Sequence, residues 1–400
     1  MEIRTVTDED LEVYQRAQAV AFGQVFDAAR AEAARPIIEL DRSLAVFEGR
    51  AVVGTAASSG FAMTVPGGSV PAAAVQGVTV LPTHRRRGIL RALMRRQVDD
   101  IRARGEVVAC LWATEAPIYG RFGYGPATVG VAWEADRRDV GFAPGRGDAN
   151  GVDVHLVPTD EARQEMEEVY ERLRPVVPGA LGRPAAWWDR TLKDPDGGTL
   201  RAVARDRNGA VGYASYRVSE SWGYRGPENR LGVSELLATT PAAAAALWRY
   251  LFGVDLVRTV SAFNRPPDDP LEWLLADPRA LRRRVNDSVW LRVVDVAAAL
   301  RARTWGKGVT LVVGMVDPFC PWNEGEWRVD AGPDGAEVTR GGGDPDIVLG
   351  AASLASVYLG GHRLAALAGA GLVDERSPGA VRALDLALSW ERAPWTVSMF

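Results

Sequence analysis

Sulfur and imidazole are nearly absent from this chain. Its 400 residues hold two cysteines, Cys110 and Cys320, which stand 210 positions apart. That count excludes a disulfide framework and a cysteine-based zinc site. Cys110 sits in the apolar run Val107–Leu111, where a buried, inert thiol is expected. The three histidines, His84, His155 and His362, are isolated from one another, so no metal is predicted. No obvious Ser/His or Cys/His pairing points to a covalent acyl intermediate. No apolar run reaches the ~18 residues a membrane helix needs. The N-terminus lacks a basic-then-apolar signal pattern, so the chain reads as cytoplasmic, without a membrane partner. Excess charge is missing too. Lys and Arg number 47 against 51 Asp and Glu, a net −4, which implies no general affinity for nucleic acid. Thirteen tryptophans are abundant by contrast, but no regular interleaving with Lys or Arg makes them a base-stacking platform, and core packing is expected.

What is present concentrates in Val75–Met94. The β-branched run Val78-Thr79-Val80 passes through a Pro turn into three arginines and Gly88, and Ile89, Leu90, Leu93, Met94, Val98 and Ile101 follow at helical spacing. A strand that delivers a basic turn onto a helix N-terminus is a phosphate-binding device. The first-turn N–H groups are unpaired, the helix dipole is positive there, and glycine lets an anion come close. The bland alternative is a solvated helix start.

Turn signals divide the chain into three units. In the first, a strand Ile3–Val6 precedes a helix of roughly 15 residues, and hairpins turn at Glu48-Gly49-Arg50 and Pro66-Gly67-Gly68. The basic helix leads to the strand Val107–Ala113, a short helix near Pro117 and a closing strand after Gly125-Pro126. The order implies a mixed α/β sheet with one βαβ crossover. Arg138–Gly151 reads as a linker. A second unit repeats the order from Val152, with a helix capped by Thr159-Asp160-Glu161 and another from Pro241, which suggests a duplicated fold. Its counterpart of THRRRGILRAL is TTPAAAAALWRYL, without the glycine or the arginines, so this copy is expected to be structural. From Asp287, strands at 289–294, 309–316, 326–330, 336–339 and 347–350 and three helices form an α+β unit. The tail Ala393–Phe400 is apolar and aromatic, unlike most chain ends, and should be buried.

The spacing Arg85-x-x-Gly88-x-Leu90 resembles the pyrophosphate loop of GCN5-related N-acetyltransferases (GNATs), departing from it at Leu90. With PTHRRRGILRA, IYGRFGYGPAT and DIVLGAASLASVYLGG, the whole chain resembles the enhanced intracellular survival (Eis) family of acetyl-CoA-dependent N-acetyltransferases. The resemblance implies a catalytic GNAT domain (1–140), a degenerate GNAT-like domain (151–285) and a sterol-carrier-protein-like α+β domain (287–400). By the same resemblance, Val78, Thr79 and Val80 pair with the pantetheine arm. Arg86, Arg87, Gly88, Ile89, Leu90 and Arg91 hold the pyrophosphate. Thr114 and Glu115 make a further acetyl-CoA contact, Tyr119 is the general acid, and Phe400, through its terminal carboxylate, is the general base. The resemblance also implies a small-molecule amine as acceptor, aminoglycosides among the family's substrates, and a homo-oligomer, a hexamer being one form to test.

Direct transfer from a thioester needs a neutral amine, and an alkyl ammonium has a pKa near ~10. A carboxylate can accept its proton, a tyrosine hydroxyl can protonate the leaving thiolate, and strand N–H groups can hold the oxyanion. Each role has a rival: Tyr119 as a packing aromatic, Phe400 as an apolar plug, Glu115 as the base. Met399 and Gln24 stand where acids would favour a polycation. From a different class, the chain could be a non-catalytic acyl-CoA- or lipid-binding protein that uses its C-terminal unit.

Overall fold

The computed structural model of the chain describes residues 1–194, 197–224 and 226–400. The hairpin signals set the first sheet. Ser43–Glu48 turns into Ala51–Val65, and that strand turns at Pro66-Gly67 into Gly68–Val80. Glu2–Thr5 lies on the outer edge and Val108–Trp112 runs parallel on the other side. The helix Ile89–Ala103 buries Ile89, Leu93, Met94, Val98 and Ile101, the face that the 3.6-residue period marks. Leu11–Ala21 covers the first sheet beside Ala51–Val65. Near Pro117 the chain forms two 3₁₀ turns, Ala116–Ile118 and Gly120–Phe122, where a short helix was expected. The helix at 159 starts with Thr159 itself, preceded by Pro158, so Thr159 does not cap it.

The two sheets exchange strands. Val129–Asp136, expected to close the first sheet, pairs instead with Val257–Arg265 and Arg284–Asp287 in the second. Its inward residues Val131, Trp133 and Ala135 belong to the second core, where Trp133 stacks on Phe252 at 6.0 Å and meets Trp248 at 5.3 Å. Val289–Val293, read from sequence with the third unit, completes the first sheet between Val108–Trp112 and Gly125–Pro126. Four of its five residues are buried, Val289, Leu291 and Val293 on one face and Arg292 on the other, and a strand buried on both faces needs a central place with cover on each side.

The second sheet runs in the order 284–287, 129–136, 257–265, 229–238, 209–219, 199–206, 153–157. A third sheet of five strands orders as 335–340, 325–332, 309–316, 347–350, 373–375. A fully buried Arg292–Asp317 ion pair of 2.5 Å joins the first sheet to this third unit, and Asn323 Nδ2 donates to Asp317 at 3.0 Å. Gly123 and Gly125 make room for the joint. A Cβ on Gly123 would fall 1.6 Å from Arg292 Nη1, and one on Gly125 would fall 2.1 Å from the Ala352 carbonyl oxygen. Among the described residues no helix is long and apolar enough to cross a membrane.

Candidate functional site

The first sheet opens in its middle. Gly68–Val80 and Val108–Trp112 are in register only at Ala72–Val108, Ala73–Ala109 and Ala74–Cys110. From Val75 onward that strand edge has no strand partner among the described residues, so its backbone N–H and C=O groups are free to pair with an extended ligand. A bulge at Gly77 widens the opening. Gly77 sits at φ +58, Thr55 Oγ1 donates to its carbonyl at 2.6 Å, and a Cβ there would strike Gln18 at 2.3 Å. The bulge keeps Val78 and Val80 on the face of the Ile89–Ala103 helix, while Thr79 turns to meet the Thr55 hydroxyl at 2.7 Å.

At the end of this strand the chain makes the 3₁₀ turn Pro82–His84 and then two left-handed residues, Arg86 at φ +63 and Gly88 at φ +79. A Cβ on Gly88 would meet nothing within 4 Å, so its need for glycine is conformational and its flank is open to a ligand. No side chain caps the following helix. Its first internal backbone bond is Ala92 N to Gly88 O, which leaves the N–H groups of Ile89, Leu90 and Arg91 as an anion site. Arg85, Arg86 and Arg91 are exposed, with no carboxylate partner among the described residues. Arg87 differs. It shares Glu48 with His84, at 3.2 and 3.0 Å, and these contacts hold the Glu48 carboxyl below its usual range. Glu48 was missed in the sequence because it lies on another strand, in the hairpin before the turn.

Beyond Trp112, Thr114 and Glu115 are exposed and Tyr119 is buried. Tyr119 packs with Ala73, Val75, Ala109, Leu111 and Met94, on the helix face of the sheet. Its hydroxyl has no hydrogen-bond partner among the described residues. Burial, and then the nearby Glu115 charge, push its pKa above the ordinary 10.0. Phe400 packs with the opposite set, the cluster of Ala72, Ala74, Val108 and Cys110. The expected acid and the expected base therefore pack against clusters on opposite faces of the first sheet.

The second copy keeps the split and fills it. Asn229–Ala238 and Val257–Arg265 stay in register as far as Val233–Ala262 and then part. The tail enters there. Trp395 N donates to Pro178 O at 2.8 Å, Trp395 Nε1 to Asn264 O at 2.7 Å, and Asn264 Nδ2 to Thr396 O at 2.9 Å. Trp395 and Thr396 are buried, and Arg265 closes the rest by donating to Leu236 O at 2.8 Å. From this anchor Val397–Phe400 crosses a cleft lined by Phe61, Leu181, Arg183, Trp187, Thr191 and Glu235. These residues of the inter-unit cleft carried no sequence signal, because they come from separate strands and a helix of two units.

Comparisons with known proteins agree with this architecture. Residues 2–127 and 179–293 each match an acetyltransferase (GNAT) domain family, and residues 296–397 match a sterol carrier protein domain. The chain is 41% identical to an uncharacterized N-acetyltransferase of Streptomyces avermitilis, over 98% of each chain. It is 38% identical to the N-acetyltransferase Eis of Mycobacterium tuberculosis, over 93% of this chain and 92% of that one. The crystal structure of Eis1 from Mycobacterium abscessus superposes with a TM-score of 0.87 at 36% identity, covering 100% of both chains.

Proposed function

The chain belongs to the Eis family of GNAT N-acetyltransferases, and from that premise we propose that it transfers an acetyl group from acetyl-CoA directly to a small-molecule amine in the cytoplasm, as a homo-oligomer. The observation that carries the reading is the split first sheet with an uncapped helix end at its mouth. The residues present fit acetyl-CoA. The free edge of Val75–Val80 suits the amides of a pantetheine arm, and the left-handed Arg86–Gly88 turn with the N–H groups of Ile89, Leu90 and Arg91 suits a pyrophosphate. Thr114 and Glu115 stand at the far lip of the split. When bound, acetyl-CoA supplies the activated acetyl group and a thiolate leaving group.

The side chains supply the proton transfers. Tyr119 is the general acid: a tyrosine hydroxyl is protonated at neutral pH, burial and the Glu115 charge extend that to higher pH, and no acceptor among the described residues competes for the proton. The terminal carboxylate of Phe400 is the general base on the opposite face, where the amine arrives. N–H groups along Val78–Val80 hold the oxyanion that develops between the two. Glu115 is a weaker base candidate, being exposed on the strand end rather than facing the Phe400 cleft. The lipid-carrier reading has less support. The interior space among Leu300, Trp305, Met315 and Leu354 is about 10 Å³, below the space a single water needs. A C-terminal extension of a few residues tests the assignment. Acetyl-CoA consumption across aminoglycosides, polyamines, lysine peptides and arylamines is expected to fall at least ~100-fold, with acetyl-CoA affinity unchanged. Full turnover by the extended protein would refute Phe400 as the base.

A further inference from the structure

The cleft beside Phe400 has walls that choose among amines. Phe61 from the first unit and Trp187 from the second meet edge to face, with ring centroids 5.2 Å apart at 66°. Leu181 and Val397 extend the apolar surface, and the space left beside the tail is about 50 Å³, room for a few waters and well below the usual small-molecule site. Its polar side chains are Arg183, Thr191, Glu235 and Ser398, beside the tail carboxylate. Gln76, on the same side of the first sheet, is spent on Ser59, its Nε2 donating at 3.0 Å.

The charges are already balanced. Glu235 is the one side-chain carboxylate among the described residues lining the cleft. It accepts from Arg183 Nη2 at 2.8 Å and from the Tyr213 hydroxyl at 2.8 Å. Stacking holds Arg183 beside it, the guanidinium lying 4.4 Å from both the Tyr170 and Trp188 ring centroids. A further cation sits close by. Arg201 is 3% exposed, and its Nε and Nη1 have no partner among the described residues. It faces Ser215 in register, and Ser215 faces Glu235 in turn. One paired carboxylate between two buried guanidiniums gives a polycation nothing to bind and something to be repelled by. The single uncommitted anion is the proposed base, Phe400, which suffices for one ammonium group.

We propose that the acceptor is a primary monoamine carried on a flat aromatic arm, selected by Phe61 and Trp187, and that polycationic amines are poor acceptors. The inference rests on the reading of Phe400 as the base and adds the substrate class. One face of Trp187 is taken by the Arg190 guanidinium, 5.2 Å from the ring centroid, so an aromatic arm gains from contact with Phe61 and the open edge of Trp187, and its ammonium from the carboxylate.

The test measures kcat and KM for 2-phenylethylamine and for spermidine and an aminoglycoside, in the native chain and in Trp187→Leu, which keeps an apolar side chain there but removes the ring. Phe61→Leu serves as the second variant. The expected result is kcat/KM at least tenfold higher for 2-phenylethylamine, with Trp187→Leu raising its KM about tenfold while kcat and the acetyl-CoA dissociation constant stay within threefold. Preference for a polycation, or a Trp187→Leu enzyme with an unchanged KM, would overturn it. If no amine is acetylated, calorimetric binding of 2-phenylethylamine that Trp187→Leu weakens upholds the pocket and discards the catalytic reading. Absence of such binding discards the pocket.

Discussion

The two acetyltransferase units share a sheet that splits between parallel strands, and they differ in what occupies the split. In the first, the strand edge past Ala74 is bare and leads to an uncapped helix end with Gly88 at φ +79. In the second, the helix Pro241–Gly253 is capped by Thr240, whose side chain accepts from Ala243 N, and the split holds Trp395, Thr396 and Arg265. The second split is occupied by the chain's own tail. The absence of the glycine and arginines is half of the difference between the units. The other half is a set of hydrogen bonds that ties the tail into the split.

That contrast can be broken experimentally, starting with the largest effect. Gly88→Val forces a β-branched residue into left-handed backbone, and acetyl-CoA affinity is expected to fall about 100-fold, with calorimetry on the native chain giving one site per chain. A second site of similar affinity would erase the distinction between the copies. Tyr119→Phe should lower kcat by ~100-fold or more with KM for acetyl-CoA unchanged. Because the Tyr119 pKa lies above 10.0, its acid form persists across pH 7 to 10. The native rate should therefore rise with pH as the amine loses its proton, with no alkaline decline below pH 10. Tyr170→Phe, in the second copy, removes a hydroxyl that donates to Leu181 O at 2.6 Å and should lower stability rather than kcat.

Smaller effects sharpen the same contrast. Trp395→Ala empties the slot in the second copy; kcat should drop about tenfold through loss of tail placement, at unchanged acetyl-CoA affinity, as stopped-time assays and calorimetry would measure. An unaltered kcat would mean the plug does not position Phe400. Thr240→Ala removes only a helix cap, costing roughly 1 kcal/mol in denaturant unfolding with no change in turnover. Any loss of cofactor affinity there would return a binding role to the second helix end.

Local signals were legible in the sequence, and non-local pairings were not. The turn at Arg85–Gly88 and the helix behind it announce themselves through glycine, charge and period, and the hairpins at Gly49 and Gly67 through turn residues. The absence of a glycine and arginines was visible in Pro241–Ala246. The tail's place in the second split was not, since nothing in Trp395 names Asn264 as a partner. The exchange of Val129–Asp136 for Val289–Val293 was equally hidden. Alternation shows that Trp133 faces a core, but not whether that core contains Phe252 or Leu93. The pairing of Arg87 with Glu48 escaped for the same reason.

The strand exchange has a consequence for how the chain must be made. The sheet that carries the split lacks an interior member until Val289–Val293 arrives, after the whole second unit has left the ribosome. A fragment ending near residue 140 would expose the edge of Val108–Trp112 and carry Val129–Asp136 with no sheet to join. The first unit is therefore assembled late and in company, and shortening the chain to its acetyltransferase half should yield aggregate rather than a smaller enzyme.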